Sequence, residues 1–146
     1  MITKVTSADY EIYKNLVLEF YSTDVVLHPI PESYIKNTFL EFTNRSDYAK
    51  AFFIKTKENT IAGYALLAIT FSQEAGGKTV WLEELYIKPE FRSCGLGSEF
   101  FTFLAETEKD CKRFRLEVED YNKKAIELYK RKGFSFLPYS QMIKEQ

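Results

Sequence analysis

The sequence is poor in most of the residues that mark a specialised class of protein. Its two cysteines, Cys94 and Cys111, are too few for a disulfide framework or for paired metal-ligand clusters. Reduced thiols in a cytoplasmic protein, with no metal, are therefore expected. Its one histidine, His28, stands in VLHPIP, where a residue before proline reads as a turn and a candidate pocket wall. The net charge of −1 and pI near 5.9 leave no excess of one sign to draw the chain to nucleic acid or to an acidic membrane. No apolar run approaches the ~20 residues of a membrane span, and MITKVTSADY lacks the blocks of a signal peptide. No repeat, low-complexity block or Pro/Gly/Ser linker interrupts residues 1–146, so one domain is expected.

What is present is enough to fold: 45% of residues are hydrophobic, with 13 Phe and 10 Tyr. Ile2 to Thr6 reads as a strand. Ser7-Ala8-Asp9 offers capping oxygens before YEIYKNLVLEFY, and Pro31-Glu32 opens a second helix with Ile35, Thr38, Phe39 and Phe42 on one face. AFFIKTKENT and IAGYALLAITF read as a hairpin turned at Glu58-Asn59, and Gly76-Gly77 turns the chain into VWLEELYI. There Val80 and Leu82 share one parity while Leu85 and Ile87 share the other. The strand therefore either carries a one-residue bulge near Glu83-Glu84 or is buried on both faces. A helix after FRSCGLG, a strand in RFRLEVE, a helix in NKKAIELYKRKG, and short strands in FSFLPY and QMIK complete a mixed α/β order.

The stretch FRSCGLGSEF places two glycines and an arginine between a strand and a helix. Unpaired N–H groups and the positive end of the helix dipole converge there, which favours an anion. Gly95 and Gly97 would let a phosphate approach the main chain, and Arg92 adds a planar cationic donor. The loop lacks the Lys-Ser/Thr of a Walker A motif, and Phe100 stands where a dinucleotide fold has its third glycine. Downstream, Asn122 and Tyr129 lie about two helical turns apart, on one side of the helix that Gly133 closes.

Together, LEELYIKPEFRSCGLGSEFF and LEVEDYNKKAIELYKRKGF resemble the GNAT superfamily of N-acetyltransferases, with its Arg/Gln-x-x-Gly-x-Gly/Ala loop followed by Asn, Ala, Tyr and Gly-Phe. The likeness is detailed from Trp81 to Phe136 and looks closest to the polyamine and small-amine branch. It implies a mainly antiparallel sheet of six to seven strands flanked by about four helices, with acetyl-CoA as cosubstrate. It also implies that the diphosphate is held by Arg92 and the backbone of Ser93, Cys94, Gly95, Leu96, Gly97 and Ser98. The pantetheine arm would pair with the main chain of Leu85, Tyr86 and Ile87, the N–H of Leu85 facing the thioester carbonyl. Asn122 would contact the arm, and Tyr129 would sit by the sulfur. Cys94 stands where family loops often have a basic or amide residue, and Ser93 replaces a frequent Gly. Dimers are frequent in this family, so a homodimer is expected.

Acetyl transfer needs a neutral amine, and deprotonating an alkylammonium at pH 7 costs about 4.6 kcal/mol, so a base helps. Glu83 and Glu84 are the candidates. They are adjacent on a strand and face opposite sides, with Glu83 favoured by its place in the family pattern. Tyr129 is the candidate acid toward the CoA thiolate, although transfer from an ordinary tyrosine is uphill by about 2 kcal/mol. Tyr13, Phe20, Tyr21, Asp24, Glu32 and Tyr34 are candidate walls for a cationic amine. The expected activity is direct transfer to a primary amine of a small molecule. The rivals are acetylation of protein amino termini and a CoA-binding regulatory module without turnover.

Overall fold

Three antiparallel pairings and one parallel pairing build the sheet around which the chain is arranged. The computed structural model describes residues 1–24, 26–45 and 47–146. Its elements are β1 (Ile2–Lys4), α1 (Tyr10–Tyr21), α2 (Glu32–Asn44), β2 (Ala49–Lys55), β3 (Ile61–Ser72), β4 (Gly77–Ile87), α3 (Leu96–Thr107), β5 (Arg113–Leu116) and α4 (Lys123–Arg131). The strands lie side by side in chain order. Each of β1 to β4 is antiparallel to the next, whereas β5 runs parallel to β4 because α3 crosses over between them.

Each face of the sheet is covered by helices whose apolar spacing the sequence shows. Tyr13, Leu16 and Val17 of α1 and Ile35, Phe39 and Phe42 of α2 are buried on one face with Phe53, Tyr64 and Tyr86. Tyr13 stands edge-on to Phe42 and to Tyr64, with ring centroids 5.1 and 5.6 Å away. Burying a side chain as completely as Phe42 stabilises the fold by about 1.5–3 kcal/mol. On the other face, Leu96, Phe100, Phe101 and Leu104 of α3 pack on Ile54, Ala65, Leu67, Val80 and Leu82, and Leu128 and Tyr129 of α4 close over them.

The mixed α/β class and the four helices are as expected, but the described residues form five strands rather than six or seven. FSFLPY and QMIK take no strand pairing. Phe136, Tyr139, Met142 and Ile143 are exposed, because the outer edge of β5 forms no ladder with them. The capping oxygens before α1 also act differently. Asp9 Oδ2 accepts from the Thr6 amide (2.8 Å) and hydroxyl (2.6 Å), tightening the turn ahead of the helix without capping it. The hairpin turn holds Asn59 at φ 66°, a left-handed position that asparagine tolerates.

Gly63 brings β3 and β4 unusually close. A Cβ there would lie 2.0 Å from the Tyr86 carbonyl oxygen, so only glycine fits opposite Ile87.

Candidate active site

The candidate site begins at a fault in the β3–β4 ladder. Leu67 faces Leu82 and Leu66 faces Glu84, so Glu83 is an extra residue bulged out of β4. This slip accounts for the parity change in the sequence. Val80 and Leu82 before it, and Leu85 and Ile87 after it, all join the cluster under α3, while Glu84 and Tyr86 turn toward α1. The strand is also covered on both faces, so both sequence alternatives hold.

Beyond the bulge the sheet opens. The last pair between β4 and β5 is Leu82–Leu116, and from there Leu85 to Ile87 pair only with β3. The Lys88 amide donates to the Ala62 carbonyl (2.8 Å), which sets the phase of the ladder: Glu84, Tyr86 and Lys88 bond to β3. Leu85 and Ile87 consequently aim their N–H and C=O groups into the open fork. The guanidinium of Arg92 already uses one of these groups, its Nε donating to the Ile87 carbonyl at 2.8 Å.

The loop from β4 to α3 lies at the mouth of this fork. A single 3-10 turn, Pro89–Phe91, leads to Ser93 at φ 62° and Gly95 at φ 82°, both left-handed. Ser93 thus occupies a conformation that glycine adopts more easily. Arg92, Ser93, Cys94 and Gly95 are exposed, and no side chain caps the first turn of α3, so the amides of Leu96, Gly97 and Ser98 have no capping partner among the described residues. Gly97 also has a packing role. It is buried, and a Cβ would meet Leu128 Cδ2 at 3.1 Å, so its absence lets α3 close on α4.

From α4, Tyr129 packs in the same cluster as Leu85 and Ile87, edge-on to Phe101 at 5.6 Å and tilted against Phe134 at 6.1 Å. Its hydroxyl makes no hydrogen bond among the described residues, and burial pushes its pKa above the ordinary tyrosine value. Asn122 is the N-cap of α4, its Oδ1 accepting from the Ala125 amide at 3.4 Å, which leaves its NH2 group and the second lone pair of Oδ1 for another partner.

The two candidate bases sit in different surroundings. Glu84 is held by hydroxyls from two elements, Tyr21 of α1 donating to Oε1 (2.7 Å) and Tyr64 of β3 donating to Oε2 (2.6 Å). Burial raises its pKa, and those two hydrogen bonds oppose the rise only in part. Glu83 has neither hydrogen bond nor ion pair among the described residues. Although Glu83 is exposed, partial desolvation on the bulge raises its pKa first, then the charge of Glu117, then that of Glu84. Glu117 and Tyr64 were missed in the sequence. Continuing the β4–β5 register by one residue would have placed Glu117 opposite Glu83.

Other candidates scatter. Tyr13 is core, and Glu32 faces Lys14 and Tyr10 at the surface. Tyr34 and His28 are exposed, the latter with Nδ1 3.1 Å from the Pro29 carbonyl oxygen. Phe20 packs beside Tyr21 and Tyr86, and Asp24 accepts from the Tyr121 hydroxyl at 2.9 Å through its carbonyl, joining the chain after α1 to the one after β5.

The sequence profile of the acetyltransferase (GNAT) family matches residues 10–134. The chain belongs to the GNAT family. Among curated GNAT relatives it is 43% identical over 75 residues to thialysine N-epsilon-acetyltransferase of Sus scrofa, a stretch covering 50% of this chain and 44% of that protein. It is 32% identical over 85 residues to spermine/spermidine N(1)-acetyltransferase of Bacillus subtilis (strain 168), covering 54% of this chain and 55% of the relative. The matches thus span about half the length of these relatives. The fold is shared with AAC(6')-Iy in complex with a bisubstrate analog, CoA-S-monomethyl-acetylneamine, at a TM-score of 0.80 and 15% identity over 100% of this chain and 97% of the other.

Proposed function

We propose that this GNAT-family chain transfers acetyl from acetyl-CoA to a primary amine of a small molecule, by direct attack with both substrates bound. The observation that carries the proposal is the fork beyond Leu82–Leu116, with the backbone of Leu85 and Ile87 turned into it and the uncapped start of α3 at its mouth. The residues fit a CoA thioester. Gly95 has open space where a Cβ would be, the α3 amides suit a diphosphate, and the free strand edge suits an amide-bearing arm. The ligand supplies an activated acyl group as its thioester.

The chain's own residues do the rest. The Leu85 N–H donates to the carbonyl oxygen on which charge develops. Glu83, without a hydrogen bond or ion pair among the described residues and raised in pKa, takes a proton from the acceptor ammonium, directly or through a water. Glu84 is the weaker candidate because both of its oxygens are engaged by tyrosines. Tyr129 remains protonated at neutral pH, gives its proton to the departing sulfur and is restored by the second proton that the attacking nitrogen sheds as the amide forms. Its raised pKa makes stepwise transfer more uphill than for free tyrosine, so the proton moves in concert with thiolate formation.

The relatives named for thialysine, spermine and spermidine support a small cationic amine, and so do the carboxylates Glu83, Glu84 and Glu117 around the fork. The free thiols of Cys94 and Cys111 accord with the cytoplasm. The test is CoA release, followed by thiol titration, across a panel of diamines, polyamines, lysine analogues and amino-terminal peptides. Turnover with small amines is expected; turnover with peptides alone, or with nothing, would contradict the proposal.

A further inference from the structure

We propose that Glu84 is a positioning residue for the transfer: gripped by the hydroxyls of Tyr21 and Tyr64, it anchors β4 between the bulge and Leu85 and so fixes the direction of the Leu85 N–H toward the thioester carbonyl. This rests on the acetyltransferase function proposed above.

The anchor stands where β4 is least supported. Glu83 has no partner in the β3–β4 ladder, and beyond Leu82 the strand has lost β5 as well, so Leu85 to Ile87 are paired on one side only. A bulge bends and twists its strand locally. An amide on the free edge just after it is therefore aimed only as well as the residue before it is held. That residue is Glu84, which faces Leu66 as the first paired position past the bulge. Tyr21 donates to its Oε1 at 2.7 Å and Tyr64 to its Oε2 at 2.6 Å, so one side chain is fixed from two elements, α1 and β3. Both lengths suit a hydroxyl on a carboxylate. A longer hydrogen bond, from the Tyr86 hydroxyl to Glu19 Oε2 (3.4 Å), joins the same stretch of β4 to α1.

The two donors are themselves held by packing. Tyr64 is fully buried, its ring edge-on to Tyr13 at 5.6 Å and to Phe20 at 6.3 Å. Tyr21 stands edge-on to Phe20 at 5.4 Å. A first contact is only as well placed as the side chains that support it, and here rings locked in the core under α1 supply that support. The grip also differs in kind from the buried joint at Glu108, whose carboxylate meets the ammonium groups of Lys50 and Lys78. Two neutral hydroxyls hold the position of Glu84 without setting a cation beside the fork.

The consequence is catalytic precision. A donor to the developing oxyanion acts through its alignment, and deleting one costs on the order of 10²- to 10³-fold in turnover. The Leu85 N–H belongs to the backbone and cannot be deleted by substitution, but loosening the residue before it misaligns it.

The experiment compares Tyr21→Phe, Tyr64→Phe, the double variant and Glu84→Gln with the wild-type chain. The Phe variants keep the rings and remove the grip. In the double variant, amide hydrogen exchange should quicken about tenfold or more at Glu84 and Tyr86 relative to Val80 and Leu67. The difference in the Leu85 amide NMR shift between acetyl-CoA and CoA complexes should shrink, and kcat should fall about 10- to 100-fold with KM for acetyl-CoA within about threefold. Glu84→Gln still offers the two hydroxyls an acceptor and a donor, so its kcat should stay within about fivefold of wild type. Exchange and Leu85 shifts that do not respond in Phe variants that melt like wild type overturn the inference. So does loosening spread evenly over the sheet, or a Glu84→Gln variant as inactive as one lacking the base. Tyr21→Phe, at the half-buried end of α1, carries the same test if the double variant does not fold. Exchange and shifts need no turnover and decide the inference even if no amine is acetylated, a result that would instead contradict the proposed function.

Discussion

Tyr129 shows how a single side chain can be found by spacing and yet change its chemical meaning once its surroundings are known. Its place seven residues after Asn122, ahead of Gly133-Phe134, marked it as a candidate acid, and the fold does bring it into the cluster with Leu85 and Ile87. The direction of its pKa was not legible, because that depends on Phe101 and Phe134, which close around the ring from other segments. Replacing Tyr129 with Phe keeps the ring packing and deletes only the hydroxyl. We expect turnover to fall by about 10²-fold while affinity for acetyl-CoA stays within about twofold, as steady-state kinetics and equilibrium binding would show. An unchanged turnover would return Tyr129 to a packing role. Gly97 gained a second meaning: besides its place in the loop motif, its missing Cβ makes room for Leu128, a contact between helices that no local pattern encodes.

At the scale of elements, apolar periodicity located every helix, and the parity change in VWLEELYI located the bulge to within one residue. The terminal strands failed because alternating apolar residues specify a strand only where an edge pairs with them. Joints between elements were also hidden, since they are made by charges far apart in sequence. Glu108, the C-cap of α3 and 3% exposed, accepts from Lys50 of β2 (2.5 Å) and Lys78 of β4 (2.6 Å). Burial pushes its carboxyl up, but the two lysine hydrogen bonds and charges outweigh this and hold it below its usual value. A carboxyl lowered on folding contributes stability above its unfolded pKa and loses it as pH falls through the folded one. Glu108→Gln should therefore lower stability by about 1–2 kcal/mol at pH 7, a figure discounted because both lysines are about a quarter exposed. Denaturant melts should show the gap closing as the pH is taken well below 4.5.

Across the whole molecule, one arrangement makes the proposed site: a parallel pair that stops at Leu82–Leu116 while β4 continues, with the α3 loop at the opening. The loop motif was legible because it is local. The depth of the fork was not, because RFRLEVE reads as a strand to its end, whereas pairing ceases at Leu116. Arg92 links the two parts, holding the Ile87 carbonyl across the mouth while its remaining guanidinium donors stay available to phosphate. Calorimetric titration with acetyl-CoA, on the wild-type chain and on Arg92→Ala, tests this arrangement most directly. Saturable binding to the wild type, weakened about tenfold or more in the variant, is the predicted result. No heat and no shift in melting temperature at millimolar acetyl-CoA would contradict it.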